Sequence, residues 1–273
     1  MEIKSGQSNF DLPCLPDEDF PEMSSGEMPC GFSIGSDDLA RLIDKARFAI
    51  STEETRYYLN GIFFHSVENE LRSVATDGHR LACIKSDLPA GAEDIPSIII
   101  PRKTIGEVRK LIEDTSGTLD IKVSDTKIQF NFNDIQLTSK LIDGTFPDYE
   151  RVIPKNNDKE LLIDTKVFAS SIDRVATISS DKSKAVKFLL KDGVLTLTVI
   201  NPETGKAIEK TPVEYSYEEL EIGFNARYLL DIASQIDGSN ILFALEGSGS
   251  PALITDSDDN QATYVLMPMR VWF

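Results

Sequence analysis

Two histidines, His65 and His79, and three cysteines, Cys14, Cys30 and Cys83, are the side chains best suited to acid–base, nucleophilic or soft-metal chemistry. The cysteines are odd in number, widely spaced and form no CxxC pair. They read as incidental thiols of a reducing compartment, not as disulfides or a zinc site. His79 lies two residues after Asp77 in ATDGHRLA (Ala75–Ala82), and an aspartate can orient a histidine base. No serine or cysteine stands in a GxSxG elbow, however, and no Walker-type glycine loop exists. Asp77-Gly78-His79 therefore reads as a turn, with a hydrolase using His79 as the remote alternative. Carboxylate pairs such as Asp258-Asp259 read as solvated turns. No catalytic residue, metal or cofactor is expected.

The remaining chemistry is charge. The chain carries 28 Lys and Arg against 45 Asp and Glu, a net charge of −17. Such a surface repels phosphate over most of its area, which excludes a protein that coats DNA all round. Four helices are expected at Ser36–Ala49, Arg102–Glu113, Thr165–Thr177 and Asn225–Ile236. They hold ten of the 28 cations and only seven of the 45 acids. Collected on one face, Arg41, Lys45, Arg102, Lys103, Arg109, Lys110, Lys166 and Arg174 would attract a phosphate backbone weakly and without reading bases. The alternative is that cations simply favour helix surfaces and late helix turns.

Those helices sit in an internal repeat. Phe32–Ser51 and Leu161–Ser180 superpose at a shift of 129 residues, Ile34 on Ile163, Leu39 on Phe168 and Ile43 on Ile172. Each copy is a strand followed by an amphipathic helix, capped by Ser36 in the first and by Asp164 or Thr165 in the second. Ser97–Asp114 and Glu219–Asp237 form a second, weaker pair, with Ile105, Val108, Leu111, Ile112 and Tyr228, Leu229, Ile232, Ala233 turned inward. Between the helices, apolar residues alternate: Leu119, Ile121, Val123, then Ile128, Phe130, Phe132, and later Leu195, Leu197, Val199. This pattern predicts antiparallel sheet with one buried and one wet face. Tyr149–Glu160, charged and Pro-containing, reads as an interdomain linker. The first 30 residues, with Pro13, Pro16, Pro21 and Pro29, read as loop or extended chain. The resulting fold class is α+β. No apolar run approaches the ~20 residues that span a bilayer, and no signal-like segment opens the chain; a cytoplasmic protein is expected.

Several stretches together resemble the bacterial DNA sliding clamp family, the beta subunit of DNA polymerase III. They are RYYLNG (Arg56–Gly61), ATDGHRLA, IPRK (Ile100–Lys103), FPDYERVIP (Phe146–Pro154) and YVLMPMR (Tyr264–Arg270). The resemblance runs from about Phe10 onward. It implies repeated clamp domains, each of two strand–helix–strands units, with helices on a concave face and antiparallel sheets outside. Residues 1–28 would be the remnant of a first domain and its linker, 29–152 the central domain and 153–273 the C-terminal one. The implied function is a processivity factor that encircles duplex DNA, without enzymatic activity, closing as a homodimer. A non-encircling peptide-binding module is the alternative, because the first domain is largely missing.

By the same resemblance, short motifs of the replicative polymerase, clamp loader and repair proteins would bind a hydrophobic pocket. Its lining would be Leu59, Thr76, Gly78, His79, Arg80, Leu81, Pro147, Arg151 and Val152 from the central domain. Asn225, Tyr228, Val265, Met267, Pro268, Met269 and Arg270 would complete it. Leu, Val, Met and Pro make an apolar trough that Met can reshape, and Arg80, Arg151 and Arg270 could hold carboxylates at its rim. Tyr57 and Tyr58 could stack on single-stranded DNA, although adjacent strand residues face opposite ways and one of the two would be buried. Phe10 and Leu12 on one edge, Thr177 and Ile178 on the other, would form the dimer interface. Trp272 and Phe273, beyond the family's usual end, would cover the pocket or reach a neighbouring chain.

Overall fold

The computed structural model describes residues 1–19, 26–113, 116–179 and 184–271. Trp272 and Phe273 lie outside them. The chain opens on an antiparallel hairpin, β1 (Glu2–Ser5) and β2 (Ser8–Asp11), turning at Gly6-Gln7, where Gly6 has φ +60°. Of the loop or extended chain expected here, these residues are the extended part, paired as a hairpin. Pro13 falls just beyond the ladder, so every hairpin amide remains free to donate.

The first half then runs β3 (Cys30–Gly35), α1 (Ser36–Arg47), β4 (Gly61–Val67), β5 (Glu70–Thr76), β6 (Arg80–Asp87), β7 (Ile98–Pro101), α2 (Arg102–Leu111), β8 (Thr118–Val123), β9 (Lys127–Phe132) and β10 (Ile135–Lys140). The second half repeats it as β11 (Lys159–Asp164), α3 (Thr165–Ala176), β12 (Ala185–Lys191), β13 (Val194–Asn201), β14 (Gly205–Pro212), β15 (Leu220–Asn225), α4 (Ala226–Ala233), β16 (Asn240–Leu245), β17 (Ala252–Asp256) and β18 (Ala262–Leu266). The 129-residue register is physical: Ile34 and Ile163, Leu39 and Phe168, and Ile43 and Ile172 are all buried in one core. Burial of each such side chain contributes roughly 2 kcal/mol.

Local chemistry sets the element ends. Asp164 caps α3 by accepting from the Val167 amide at 2.8 Å. Ser36 does not cap α1; Gly35 takes the cap position, and Ser36 is buried with its amide on the Gly117 carbonyl. Asp192-Gly193, with φ of +51° and +72°, turns β12 into β13, as the tight hairpin connection requires.

All strand pairs are antiparallel. Each half has its own four-stranded sheet, β10-β9-β8-β3 and β14-β13-β12-β15. A third sheet of eight strands, β11-β16-β17-β18-β6-β5-β4-β7, crosses both halves. Its seam is the β18–β6 ladder, where Tyr264 faces Ala82, Val265 faces Leu81 and Leu266 faces Arg80. The helices form a row, α2 beside α1 and α3 beside α4. Lys45 of α1 reaches across to the Gln235 carbonyl just past α4 at 2.6 Å.

Unlike the strands whose alternation predicts one wet face, β4–β6 are covered by apolar residues on both faces. Ile62, Phe64, Leu71, Ala75, Ala82 and Ile84 join the large core, and the Ser73 hydroxyl on that side donates to the Leu42 carbonyl of α1. The residues between them point the other way. There Val74, Leu81 and Cys83 join Leu59, Ile99, Phe146, Tyr149 and Val265 in a second, smaller core. Period-two alternation thus puts two apolar layers on one sheet: helices on one face, the 146–149 segment on the other. The expected linker is correspondingly anchored at its start, where Tyr149 is buried.

Candidate functional site

The second core is not fully covered. Above it opens an apolar cavity of about 200 Å³, lined by Leu59, Thr76, Gly78, Arg80, Leu81, Pro147, Val152, Val265 and Met267, together with Arg56 and Tyr58. Three distant stretches meet there for one reason. The β18–β6 ladder lays the end of the chain along the TDGHR turn, and the Met267 amide donates to the His79 carbonyl at 2.9 Å. Val265 and Met267 thereby stand beside Leu81. Leu59 ends a 3-10 turn (Glu54–Leu59) that leads into β4.

The turn itself needs its glycine. Gly78 has φ +87°, and a Cβ there would press on the Arg56 guanidinium. Asp77 does not orient His79 as a base. Its Oδ1 accepts from the backbone amides of His79 and Arg80, at 2.9 and 3.0 Å, and Oδ2 accepts from Arg80 Nε at 3.1 Å. The His79 ring instead stacks on Tyr228, centroids 6.4 Å apart.

A polar cavity of about 600 Å³ adjoins the apolar one, with Arg80 in both walls. It takes His79, Asn225 and Tyr228, with Glu53, Asp77, Arg102, Arg227 and Asp231. The expected single lining therefore divides in two. Asn225 is there as the cap of α4, its Oδ1 accepting from the Arg227 and Tyr228 amides. Arg151 is turned outward and paired with Asp148. Pro268, Met269 and Arg270 line neither cavity; the Met269 amide is tied to the Gly223 carbonyl at 2.9 Å. Arg80 is no rim anchor: its fork is spent on Asp77, Asp231 and the Phe48 carbonyl.

Arg56 and Tyr58 are lining residues that sequence reasoning missed. Tyr57 and Tyr58 are both candidates for single-stranded DNA, and a strand there would bury one of them. In the 3-10 turn Tyr57 is exposed and Tyr58 faces the cavity. Adjacency to Leu59 in RYYLNG was the available signal.

The helix cations divide as well. Lys45 is 7% exposed and bound to Asp237 at 2.8 Å; Arg41 bonds Asp259 at 2.6 Å and the Lys85 carbonyl at 3.0 Å. These two join the halves of the chain and are not free to meet phosphate. Arg109 pairs with Asp44, Lys110 with Glu107, and Arg174 with Glu209. Arg102, Lys103 and Lys166 are exposed, with no ion pair among the described residues. Phe10, Leu12 and Thr177 are exposed, and the Ile178 carbonyl accepts from Asn201 and Thr204.

Beneath the second core lies a buried polar group. His65 Nε2 is 3.1 Å from the Tyr149 hydroxyl, which accepts from Arg72 Nη1 at 3.1 Å. Burial, then the neighbouring Arg72 charge, hold His65 below its usual pKa of 6.5. Burial pushes the Tyr149 phenol up to about 12 and the Cys83 thiol up to about 11, so Cys83 stays protonated and inert at neutral pH. A depressed histidine means that the unfolded chain binds more protons between the folded pKa and 6.5. Stability is therefore fully present above 6.5 and falls as pH drops below it, by at most about 1.4 kcal/mol per pH unit. Urea melts at pH 7.5 and 5.5 should show this loss, and His65→Gln should flatten it.

Comparison with known proteins agrees with this architecture. Residues 33–148 match the DNA polymerase III beta subunit, central domain, and residues 150–270 match its C-terminal domain. The beta sliding clamp of Caulobacter vibrioides is 52% identical over 273 residues, 98% of this chain and 73% of that protein; the Pseudomonas aeruginosa clamp is 40% identical over 269 residues. Among solved structures, the Bartonella birtlesii sliding clamp bound to griselimycin matches with TM-score 0.93 and 49% identity, covering 99% of this chain and 74% of that one. Caulobacter crescentus pol III beta matches with TM-score 0.92 and 52% identity. With both repeats matched in order, at this identity and over nearly its full length, the chain belongs to the DNA polymerase III beta-subunit family and is a DNA sliding clamp.

Proposed function

We propose that this chain works in replication as follows. The row of helices faces duplex DNA, and Arg102, Lys103 and Lys166 supply weak phosphate contacts. Residues 29–152 and 153–273 act as two clamp domains, with 1–28 the remnant of another. The chain joins a homodimer ring, using Phe10 and Leu12 on one edge and Thr177 and Ile178 on the other. Linkage, not affinity, keeps it on DNA, so it slides. The apolar cavity takes short motifs of the replicative polymerase, clamp loader and repair proteins, which raises their concentration at the primer end. A sliding clamp of known structure is bound to griselimycin, and we assign that ligand to the apolar cavity here. The chain acts in the cytoplasm and is no enzyme; its partners do the chemistry.

The observation that carries the peptide reading is the open end of the second core. Apolar Leu59, Leu81, Val265 and Met267 are gathered from both halves of the chain and left accessible. Retention on DNA tests the ring. Loaded onto a nicked circular plasmid by a bacterial clamp loader, the protein should stay bound through gel filtration and be released when the circle is cut. Equal retention on cut and uncut DNA would remove encirclement and leave a peptide-binding module.

A further inference from the structure

We propose that Tyr149 is the positioning residue for the apolar cavity, fixing the wall formed by Pro147 and Val152 through its hydroxyl bonds to His65 and Arg72. This rests on the reading of the cavity as a ligand pocket.

Pro147 and Val152 stand on a short segment with few ties of its own. Pro147 has no amide to donate. The Val152 amide bonds only locally, to the Tyr149 carbonyl at 3.0 Å, and the Arg151–Asp148 pair is exposed. Two rings hold the segment to the sheet: Phe146, just before Pro147, and Tyr149, between the two wall residues. The Phe146 ring stacks on Phe63, centroids 4.7 Å apart and planes within 3°. That contact fixes distance but lets the ring slide. Tyr149 adds direction. It is 4% exposed, and its hydroxyl sits between two groups of β4 and β5.

Arg72 has no acceptor, so Nη1 donates to the Tyr149 oxygen. In the tautomer that carries the ring proton on Nδ1, His65 Nε2 accepts the phenolic hydrogen. Arg72 Nη1 also donates to Glu150 at 2.7 Å, the next residue of the same segment, and Arg72 is itself oriented by Glu70. His65, stacked on Phe63 at 4.5 Å, cannot turn away. The hydroxyl therefore pins the segment at one point relative to the sheet that carries Leu81 and Val265. Losing it leaves the wall free to drift, and the ligand must then order it on binding.

The test measures griselimycin affinity by calorimetry, about 15 °C below each variant's own melting temperature. Tyr149→Phe keeps the ring and removes the hydroxyl; it should weaken binding roughly five- to tenfold. His65→Leu, which removes the acceptor, should do the same. His65→Gln offers an amide oxygen to the same hydroxyl and should restore affinity to within about twofold of wild type. Wild-type affinity in Tyr149→Phe, whatever its melting temperature, overturns the proposal, because a purely structural hydroxyl would lower stability alone. So does equal affinity in the two His65 variants, which keeps the question open even if Tyr149→Phe fails to fold. Met267→Glu separates this failure from that of the pocket itself. If it too binds like wild type, the ligand lies elsewhere; if it loses binding while Tyr149→Phe does not, only the positioning role is wrong.

Discussion

Met267→Glu is expected to weaken griselimycin and polymerase-motif binding by about a hundredfold or more while leaving the fold intact. Met267 is 39% exposed and lines the apolar cavity, and its backbone position is set by the amide bond to the His79 carbonyl, which any side chain preserves. In the free protein a glutamate there would remain hydrated, so its cost to stability should be within about 0.5 kcal/mol, as for surface changes generally. A bound apolar ligand removes that hydration. Both cations of the lining are already committed, Arg80 to Asp77 and Asp231, and Arg56 to Glu53 and the Asp77 carbonyl. The new carboxylate would be buried unpaired, at about 3 kcal/mol or more, which corresponds to over two orders of magnitude in affinity. Met267→Leu should bind within a few-fold of wild type, because volume and polarity are kept. Titration calorimetry on both variants, with thermal melts, separates the effects. Unchanged binding in the glutamate variant would move the ligand site away from this cavity.

What could be read in the sequence was what local periodicity encodes. The paired stripes at Leu39 and Ile43 and at Phe168 and Ile172 needed only helical spacing to point inward, and they do. The β8–β9 and β12–β13 hairpins alternated cleanly because one face of each is core. Failures came where two partners far apart decide. In GIFFHSV and RLACI both faces of the strand are apolar, so alternation vanishes and the second core is invisible until the 146–149 segment is placed. Lys45 looked like a free helix cation because the carbonyl that captures it lies 190 residues away. Across Tyr57-Tyr58 the chain makes a 3-10 turn where a strand was assumed, and it still leaves Tyr57 out and turns Tyr58 in. The N-terminal hairpin turns on Gly6-Gln7, which lacks the Asn-Gly or Asp-Gly pair that marks such a turn. The pocket residues were named only through the family resemblance, because the β18–β6 ladder that brings Val265 and Met267 to Leu81 is not revealed by a 129-residue repeat.

Arg80→Ala should cost about 3 kcal/mol of stability and loosen the two halves of the chain from each other. Arg80 sits on the seam strand with its side chain 10% exposed. Nη1 bonds Asp231 of α4 at 2.5 Å, Nη2 bonds the Phe48 carbonyl at 2.7 Å, and Nε bonds Asp77 at 3.1 Å. Its guanidinium also lies over Tyr228 and Phe48, at 4.3 and 5.0 Å from their ring centres. Truncation leaves Asp77 nearly buried and unpaired, which is the expensive part, whereas Asp231 is more open to water. The Tyr228 ring loses its cation and with it the shared wall of both cavities. Arg80→Lys keeps the charge but reaches only one partner at a time, so it should recover less than half the loss. Chemical denaturation reads the energy, and hydrogen exchange reads its place: amides of β18 and α4 should exchange faster than those of β8 and β9. A uniform increase across both halves would mean that Arg80 supports the fold generally and does not act at the seam. A loss below 1 kcal/mol would mean that the β18–β6 ladder holds the halves together without it.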